Sequence, residues 1–430
     1  MKKIESLFDK MSPWMNRLAN NPTLKGISGG MMGSLIVTFV GSISLLLVVF
    51  PVDAVSNTVA ALGLSSILYN VYYMTVGCLA LYMVVLLTNS LVKSYDPKED
   101  GVSAAIIGLL SFLIVTPLST TTDEVTCIPT TWLGTAGIFS AMIIAIVTAK
   151  LFVIIKHKGW TIKMPDSVPP MVSRTFESLI AGCMISVLFI IVNYIFSNTS
   201  FGCMHQCVYT VLQTPLQGLG GSLWAMCIFT IVAQLLWFFG IHGTYVISPI
   251  YTPIWLALDL ENQAAVAAGG MGAGTNVIGY AFFNTFTWGG CVLGVVLMMA
   301  FMSKSTQFKS VGRISLVPAL FGIIEPVIFG APFVLNFIFF IPFVFGNVIA
   351  ILVAYAAIAS GLVPTLMGAS TIFGLPIGFY AAIQGSWQVV VLQIVVMIIV
   401  GLFWYPFFKK ADNGAYKLEQ EGQVKEVEEA

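Results

Sequence analysis

The sequence predicts an all-α polytopic membrane protein of about ten transmembrane helices with two re-entrant hairpins, and three observations carry that expectation. Its 430 residues are 58% hydrophobic and 9% charged, with mean hydropathy +0.93, which excludes a soluble domain with a polar exterior. Apolar runs long enough to cross hydrocarbon, about 20 residues each, lie near 28–51, 70–92, 102–118, 133–155, 176–196, 223–241, 280–302, 333–358 and 388–408. All 19 lysines and arginines fall in five clusters: Lys2 to Lys25, Lys93 to Lys98, Lys150 to Arg174, Lys304 to Arg313, and Lys409 to Lys425. The polar loops VDAVSNTVA, STTTDEVTC and SNTSFGCMHQC carry none, so the positive-inside rule places the clusters and both termini in the cytoplasm.

In chain order, residues 1–27 form a polar, partly helical cytoplasmic segment without a small-residue cleavage site, so no cleaved signal peptide is expected. Five smooth runs follow. Between the fourth and fifth lies KHKGWTIKMPDSVPPMVSRTF, where Pro165, Pro169 and Pro170 among basic residues predict an interfacial linker at 161–175. Five crossings from a cytoplasmic start put 197–222 outside, and the run 223–241 returns the chain inward near His242. The next basic cluster is again inside, so 243–303 must cross an even number of times. Only 280–302 is a clean span. The piece GTYVISPIYTPIWLALDLENQAAVAAGGMGAGTN must therefore supply an outward crossing, expected to be broken by Pro249, Pro253 and the glycine run. The same reasoning makes 314–332 re-entrant, since Pro318, Gly322, Pro326, Gly330 and Pro332 oppose a straight span.

The resulting division has a smooth half at 28–160 and 176–222 and an irregular half at 223–410, with an acidic tail at 411–430 read as a solvated end. Interrupted apolar segments are the best sequence pointer to a transporter's binding site, and both fall in the second half.

Candidate chemistry centres on Glu325, the only charged residue between Arg313 and Lys409. An intramembrane acid costs roughly 2.5–3.5 kcal/mol on insertion scales and is read first as functional. The plain alternative is a carboxylate that caps a broken helix. Functionally, it could accept a hydrogen bond from a bound hydroxyl or take its proton. His242 lies between glycines in Phe239-Gly-Ile-His-Gly-Thr244, where Gly243 lets backbone approach a ligand; otherwise it is a satisfied core histidine. Trp237 and Trp387 offer indole faces for the C–H faces of a sugar, or anchor at interfaces. Gln384, Asn276, Asn284 and Asn336 could supply amides.

Cys203, His205 and Cys207 share a loop, but an odd total of 7 cysteines without a second ligand pair reads as ordinary membrane cysteine. No GxxxxGK[ST], CxxC or HExxH occurs, so no nucleotide-hydrolysing engine, metal or cofactor is expected, and no basic stripe suggests nucleic acid.

Three segments carry a specific resemblance: IKMPDSVPPMVSRTF at 162–176, FFGIHGTYV at 238–246 and SLVPALFGIIEPVIFGAPFVLNFIFFIPF at 315–343. With them, residues 5 to 410 resemble the IIC membrane permeases of the phosphoenolpyruvate-dependent sugar phosphotransferase system, in the lactose, cellobiose and diacetylchitobiose family. The resemblance implies an elevator-type homodimer in the plasma membrane. The first half would make most of the dimer contact and the second would carry the sugar. It implies binding of an extracellular disaccharide and phosphorylation of its 6-hydroxyl by a phosphocysteine on a separate IIB protein. Catalytic roles would fall to Glu325 and His242, and sugar contacts to Trp237, Gly243, Asn284, Gln384 and Trp387. The membrane subunit itself holds no phosphoryl-donor cysteine loop. The competing class is a proton- or sodium-coupled secondary sugar transporter that uses Glu325, and a third is a sugar-binding sensor.

The sequence departs from the family pattern near its acid. Gly322 and Ile324 stand where asparagines usually flank the Glu-Pro core, Leu335-Asn336-Phe337 replaces Leu-Asn-Pro, and 289–294 reads GGCVLG. Fewer polar side chains beside Glu325 imply a different sugar or weaker activity.

Overall fold

The computed structural model describes residues 21–428 apart from 51–52, 121–123, 166–167, 241, 288–289, 332 and 371–374. Residues 1–20 of the expected N-terminal segment and the Glu325 side chain lie outside the described residues. Seven helices among them are long and apolar enough to cross a membrane: Pro22–Val48, Ser65–Tyr95, Thr135–His157, Val172–Ser197, Tyr280–Met302, Phe340–Ala359 and Trp387–Glu421. An eighth is counted if Met204–Gly220 and Leu223–Phe238 form one broken span.

The chain divides into two compact units. The first comprises Met1–Ser44, Leu64–Leu219 and Ser248–Ala257. Its helices are α1 (Pro22–Val48, continuing past the unit), α3 (Ser65–Thr75), α4 (Leu79–Tyr95), α5 (Gly101–Ile114), α6 (Ile138–His157), α7 (Pro170–Ser197), α8 (Met204–Val208) and α9 (Thr214–Gly220); α2 (Asp53–Ala61) belongs to the second unit. Lipid gives helices no hydrophobic reason to associate, so close backbone approach at small residues does the packing. A Cβ on Gly30 would lie 2.6 Å from Leu87 Cα, and one on Gly26 2.8 Å from Leu91 Cα, which sets α1 directly against α4.

At the basic end of α6, Lys156 pairs with Glu177 at 2.6 Å and His157 with Asp96 at 2.8 Å. The Lys98 backbone N–H, then His157, hold Asp96 below the usual carboxylate range. That contribution is present above the ordinary carboxylate pKa, about 4, and is lost as pH falls through the lowered value.

The expected outer loop is largely helical. Residues 204–220 run as α8, a π-helical turn at Tyr209–Gln213, and α9. Buried His205 holds this segment in place: Thr116 Oγ1 donates to Phe112 O at 2.7 Å and therefore accepts from His205 Nε2 at 3.0 Å. Cys203 and Cys207 are free, and Cys203 Sγ accepts the Gln206 N–H as an N-cap.

The second unit comprises Leu45–Gly63, Gly220–Ile247 and Leu258–Ala430. It holds α10 (Leu223–Phe238), both ends of α11 (Gly243–Gly269), α12 (Tyr280–Thr287), α13 (Gly290–Met302), α14 (Thr306–Leu320), α15 (Glu325–Gly330), α16 (Phe340–Ala359), α17 (Phe379–Ala382) and the 42-residue α18 (Trp387–Glu428). Pro249 and Pro253 do not break the chain as expected: both sit inside the continuous helix α11. A proline removes one hydrogen bond, whereas unwinding the helix in apolar surroundings would expose several more polar groups, so the helix carries through. The break falls instead at 270–279, where Gly270 and Gly272 take φ of +82° and +85°.

Asp259 on α11 closes that break. Its carboxylate accepts the Ala281 N–H at 2.7 Å, capping the first turn of α12, and a Cβ on Gly279 would lie 2.0 Å from its Oδ1. About one turn further along the same helix face, Asn262 bonds Asn276 N and O at 2.9 and 2.7 Å, and Gln263 Nε2 donates to Gly368 O at 2.6 Å. Gly368, at φ +80°, leaves no room for a side chain, since its Cβ would meet Asp259 O at 2.4 Å. We expect Asp259→Ala to orphan buried N–H donors and to destabilise the fold by about 2–4 kcal/mol, at 1–3 kcal/mol per unsatisfied group. Thermal unfolding in detergent checks this, with Asp259→Asn expected to lie between the two.

Candidate functional site

The sequence singled out two interrupted segments, and the second unit brings their backbones together. Leu335 N donates to Phe238 O at 3.0 Å, so the irregular stretch after α15 docks on the last turn of α10. Phe238 is fully buried and meets Phe337 and Phe340 edge-on at 5.6 and 4.9 Å between centroids. A Cβ on Gly240, at φ +80°, would sit 3.5 Å from Val334 Cγ1. Leu335 itself adopts φ +57°, a left-handed conformation that costs a non-glycine residue about 1–2 kcal/mol. Strain of that kind persists only where the surroundings over-determine the backbone.

Beside this junction, His242 and Trp237 are in ring contact, with centroids 4.1 Å apart and planes at 46°. Trp237 is buried, and its Nε1 donates to Thr244 Oγ1 at 3.3 Å, which fixes the indole against the first turn of α11. Gly243 makes a close backbone approach within the protein. A Cβ there would lie 1.9 Å from Ala233 O and 2.9 Å from Ala233 Cα, so the missing side chain admits the α10 backbone and creates the sharp return that places His242 on Trp237.

Glu325 opens α15. Helix α14 ends in a left-handed cap: Gly322 N donates to Ala319 O at 3.1 Å and Ile323 N to Pro318 O at 2.9 Å, with Gly322 at φ +78°. This Schellman pattern accounts for one departure from the family. Glycine and asparagine are the residues that adopt left-handed φ most readily, so Gly322 keeps the turn while removing the amide. Nothing in the structure accounts for Ile324.

The remaining candidates separate by how their polar groups are used. Gln384 is 1% exposed, and its amide bonds Ala369 N and O, both at 3.0 Å. Asn276 is held by Asn262, Leu258 O and Glu261, and Asn336 Oδ1 accepts the Ile338 N–H. These amides shape the loops around the interruptions. Asn284, half-buried on α12, has no hydrogen-bond partner among the described residues. Trp387 is 71% exposed at the start of α18. Gln393 connects their two helices: from α18 it donates to Thr285 O at 2.7 Å and accepts from Gly378 N at 2.9 Å.

Sequence reasoning missed Asp259, Asn262, Gln263 and Gln393, all buried. The signal was present in ALDLENQ, where an acid and two amides at i, i+3 and i+4 fall on one helical face.

Long apolar helices, backbone interrupted in two places and a buried polar framework at those interruptions define a multi-pass membrane permease. Comparison with known proteins narrows the class. The family described as "Phosphotransferase system, EIIC" matches residues 28–347. The oligo-beta-mannoside-specific EIIC component of Bacillus subtilis is 32% identical over 98% of both chains. The cellobiose-specific EIIC component of Geobacillus stearothermophilus is 33% identical over 97% of this chain and 96% of its own. Among solved structures, the transporter ChbC, the IIC component from the N,N'-diacetylchitobiose-specific phosphotransferase system, superposes with a TM-score of 0.90 at 32% identity, over 96% of this chain and 99% of ChbC. The chain belongs to the EIIC family of the phosphotransferase system, as its sequence segments suggested.

Proposed function

We propose that this chain takes up a β-linked disaccharide of the cellobiose or diacetylchitobiose type and presents its 6-hydroxyl to a phosphocysteine on a separate IIB protein. The observation that carries this reading is the junction of the His242 segment with the stretch following Glu325, made by the Leu335–Phe238 hydrogen bond. The names of the cellobiose-specific relative and of ChbC support the substrate class.

In this reading Trp237 and Trp387 offer indole faces to the sugar, Asn284 offers an amide, and His242 orients the 6-hydroxyl by a hydrogen bond. Gly243 and Gln384 frame the site. The Glu325 carboxylate accepts the hydroxyl proton as the oxygen attacks phosphorus. The P–O bond forms, the P–S bond of phosphocysteine breaks, and the cysteine leaves as thiolate. The phosphorylated sugar carries about two negative charges, which weakens its fit to an apolar chamber and favours inward release.

The architecture belongs to the same proposal. It has ten spans and two re-entrant hairpins in a homodimer of the plasma membrane, with both termini cytoplasmic. Residues 28–160 and 176–222 serve as the dimerisation half, and 223–410 serves as a half that moves with the sugar. Vesicles containing the purified chain and labelled cellobiose or diacetylchitobiose test it. Sugar 6-phosphate is expected only with phosphorylated IIB, whereas accumulation of unmodified sugar driven by an imposed proton or sodium gradient would overturn the reading.

A further inference from the structure

The acidic tail, expected to be a solvated end, continues α18 to Glu428 and reaches back to a segment more than a hundred residues earlier in the chain. Two of its carboxylates hold the residues that open α14. Buried Asp412 accepts from Ser303 Oγ, from Lys304 N at 3.0 Å and from Ser305 N at 3.0 Å. Glu419, two turns further on, accepts from Ser305 Oγ at 2.7 Å, Thr306 N at 2.9 Å and Gln307 N at 3.0 Å. Ser305 is also the N-cap of α14, its Oγ accepting the Phe308 N–H at 3.3 Å. The free N–H groups at a helix start carry partial positive charge, which matches a pair of carboxylates.

Helix α14 is therefore fixed at three points. The carboxylates hold its first turn. In the middle, a Cβ on Gly312 would fall 2.4 Å from Ala300 N, so α14 lies backbone-to-backbone on α13. At its end, Leu320 O accepts the Ile377 N–H at 2.8 Å, just before the Gly322 turn that leads into Glu325. Fifteen helical residues at about 1.5 Å each make a rod of roughly 22 Å, so one helix, with Pro318 in its last turn, joins the gripped first turn to the turn that precedes Glu325.

We propose that Asp412 and Glu419 are positioning residues for Glu325: the C-terminal extension of α18 grips the first turn of α14 and sets the axial position of the helix that delivers the acid. This rests on the role given to Glu325 under Proposed function. Reaction rates respond to displacements of about 1 Å at the reacting atoms more steeply than binding does. Loss of the grip should therefore lower turnover more than affinity.

The test uses the full chain in vesicles. Sugar affinity, melting temperature and the IIB-dependent phosphorylation rate at saturating cellobiose are measured for wild type, Glu419→Ala and Glu419→Gln. Glutamine keeps an oxygen for Ser305 Oγ and Gln307 N but sets an NH2 against Thr306 N. The expected order of saturating rate is wild type, then Gln, then Ala, with Ala about tenfold below wild type and dissociation constants within about twofold. If the alanine variant does not fold, the glutamine variant decides alone by the same criterion. Rates equal to wild type, or rate, affinity and melting temperature falling together, would overturn the proposal. A wild-type chain that yields no sugar phosphate would instead overturn the functional reading on which it rests.

Discussion

In vesicles supplied with phosphorylated IIB, Glu325→Gln is expected to abolish sugar 6-phosphate formation while the protein stays assembled. General-base loss alone removes about 10²–10⁴-fold in rate, enough to take turnover below detection in such an assay. Glutamine keeps the shape and one acceptor oxygen, so only the charged part of one hydrogen bond is lost, about 1–1.5 kcal/mol, and sugar affinity should change by about tenfold or less. Phosphorylation retained at more than a tenth of the wild-type rate would remove the acid from the mechanism. Measuring binding and product on the same vesicles separates a chemical defect from a folding one.

The second large effect is expected at Gly243. In Gly243→Ala the new methyl would lie 1.9 Å from Ala233 O, 2.7 Å from Ala233 C and 2.9 Å from Ala233 Cα, all α10 backbone, which has no rotamer with which to yield. The start of α11 must move by an ångström or more, and His242 moves with it away from Trp237, whose ring it now meets at 4.1 Å. Displacement on that scale is expected to lower sugar affinity and turnover together, with kcat/KM falling by about a hundredfold. Gly414→Ala is the control: nothing lies within 4 Å of its Cβ position, inside α18. That variant should keep full activity and gain up to about 1 kcal/mol of helix propensity. Equal behaviour of the two variants in a sugar-binding titration would show that the close approach of α10 and α11 does not shape the site.

What could be read from the sequence divides by the range of the interaction that decides it. Membrane helices are decided locally, by runs of apolar side chains, and so Pro22–Val48, Pro170–Ser197 and Phe340–Ala359 match runs visible in the sequence. The last of these starts later than its run because 333–339 docks on α10, a contact between residues about a hundred positions apart. Pro249 and Pro253 read as a break because proline is judged by the one bond it removes. The helix survives because every alternative in an apolar setting loses more. Residues 204–220 read as a loop because SNTSFGCMHQC is polar, yet His205 is buried through a hydrogen bond to Thr116, a residue 89 positions away.

The site was legible in a similar way. His242, Trp237 and the Glu325 segment could be named from their residue types and interrupted surroundings. The amides could not be sorted by sequence: Gln384 is used by the backbone of Ala369, Asn276 by Leu258 O and Glu261 on α11, and Asn284 by none of the described residues, and only three-dimensional pairing distinguishes them. Asp259 escaped notice because it shares a short polar patch with Glu261 and two amides, and its partner is the N-terminus of a helix twenty residues on. Within the acidic tail, Asp412 and Glu419 escaped notice because acids are ordinarily solvated, and nothing local marks Glu419 as facing the first turn of α14.

A structure of the chain with bound cellobiose tests whether the carboxylate at 325 holds a sugar hydroxyl. The non-reducing ring is expected beside Trp237, with its 6-hydroxyl within about 3 Å of both the Glu325 carboxylate and a His242 ring nitrogen. A bound sugar whose 6-hydroxyl points away from Glu325, or a Glu325 carboxylate taken up entirely by backbone N–H groups, would contradict it.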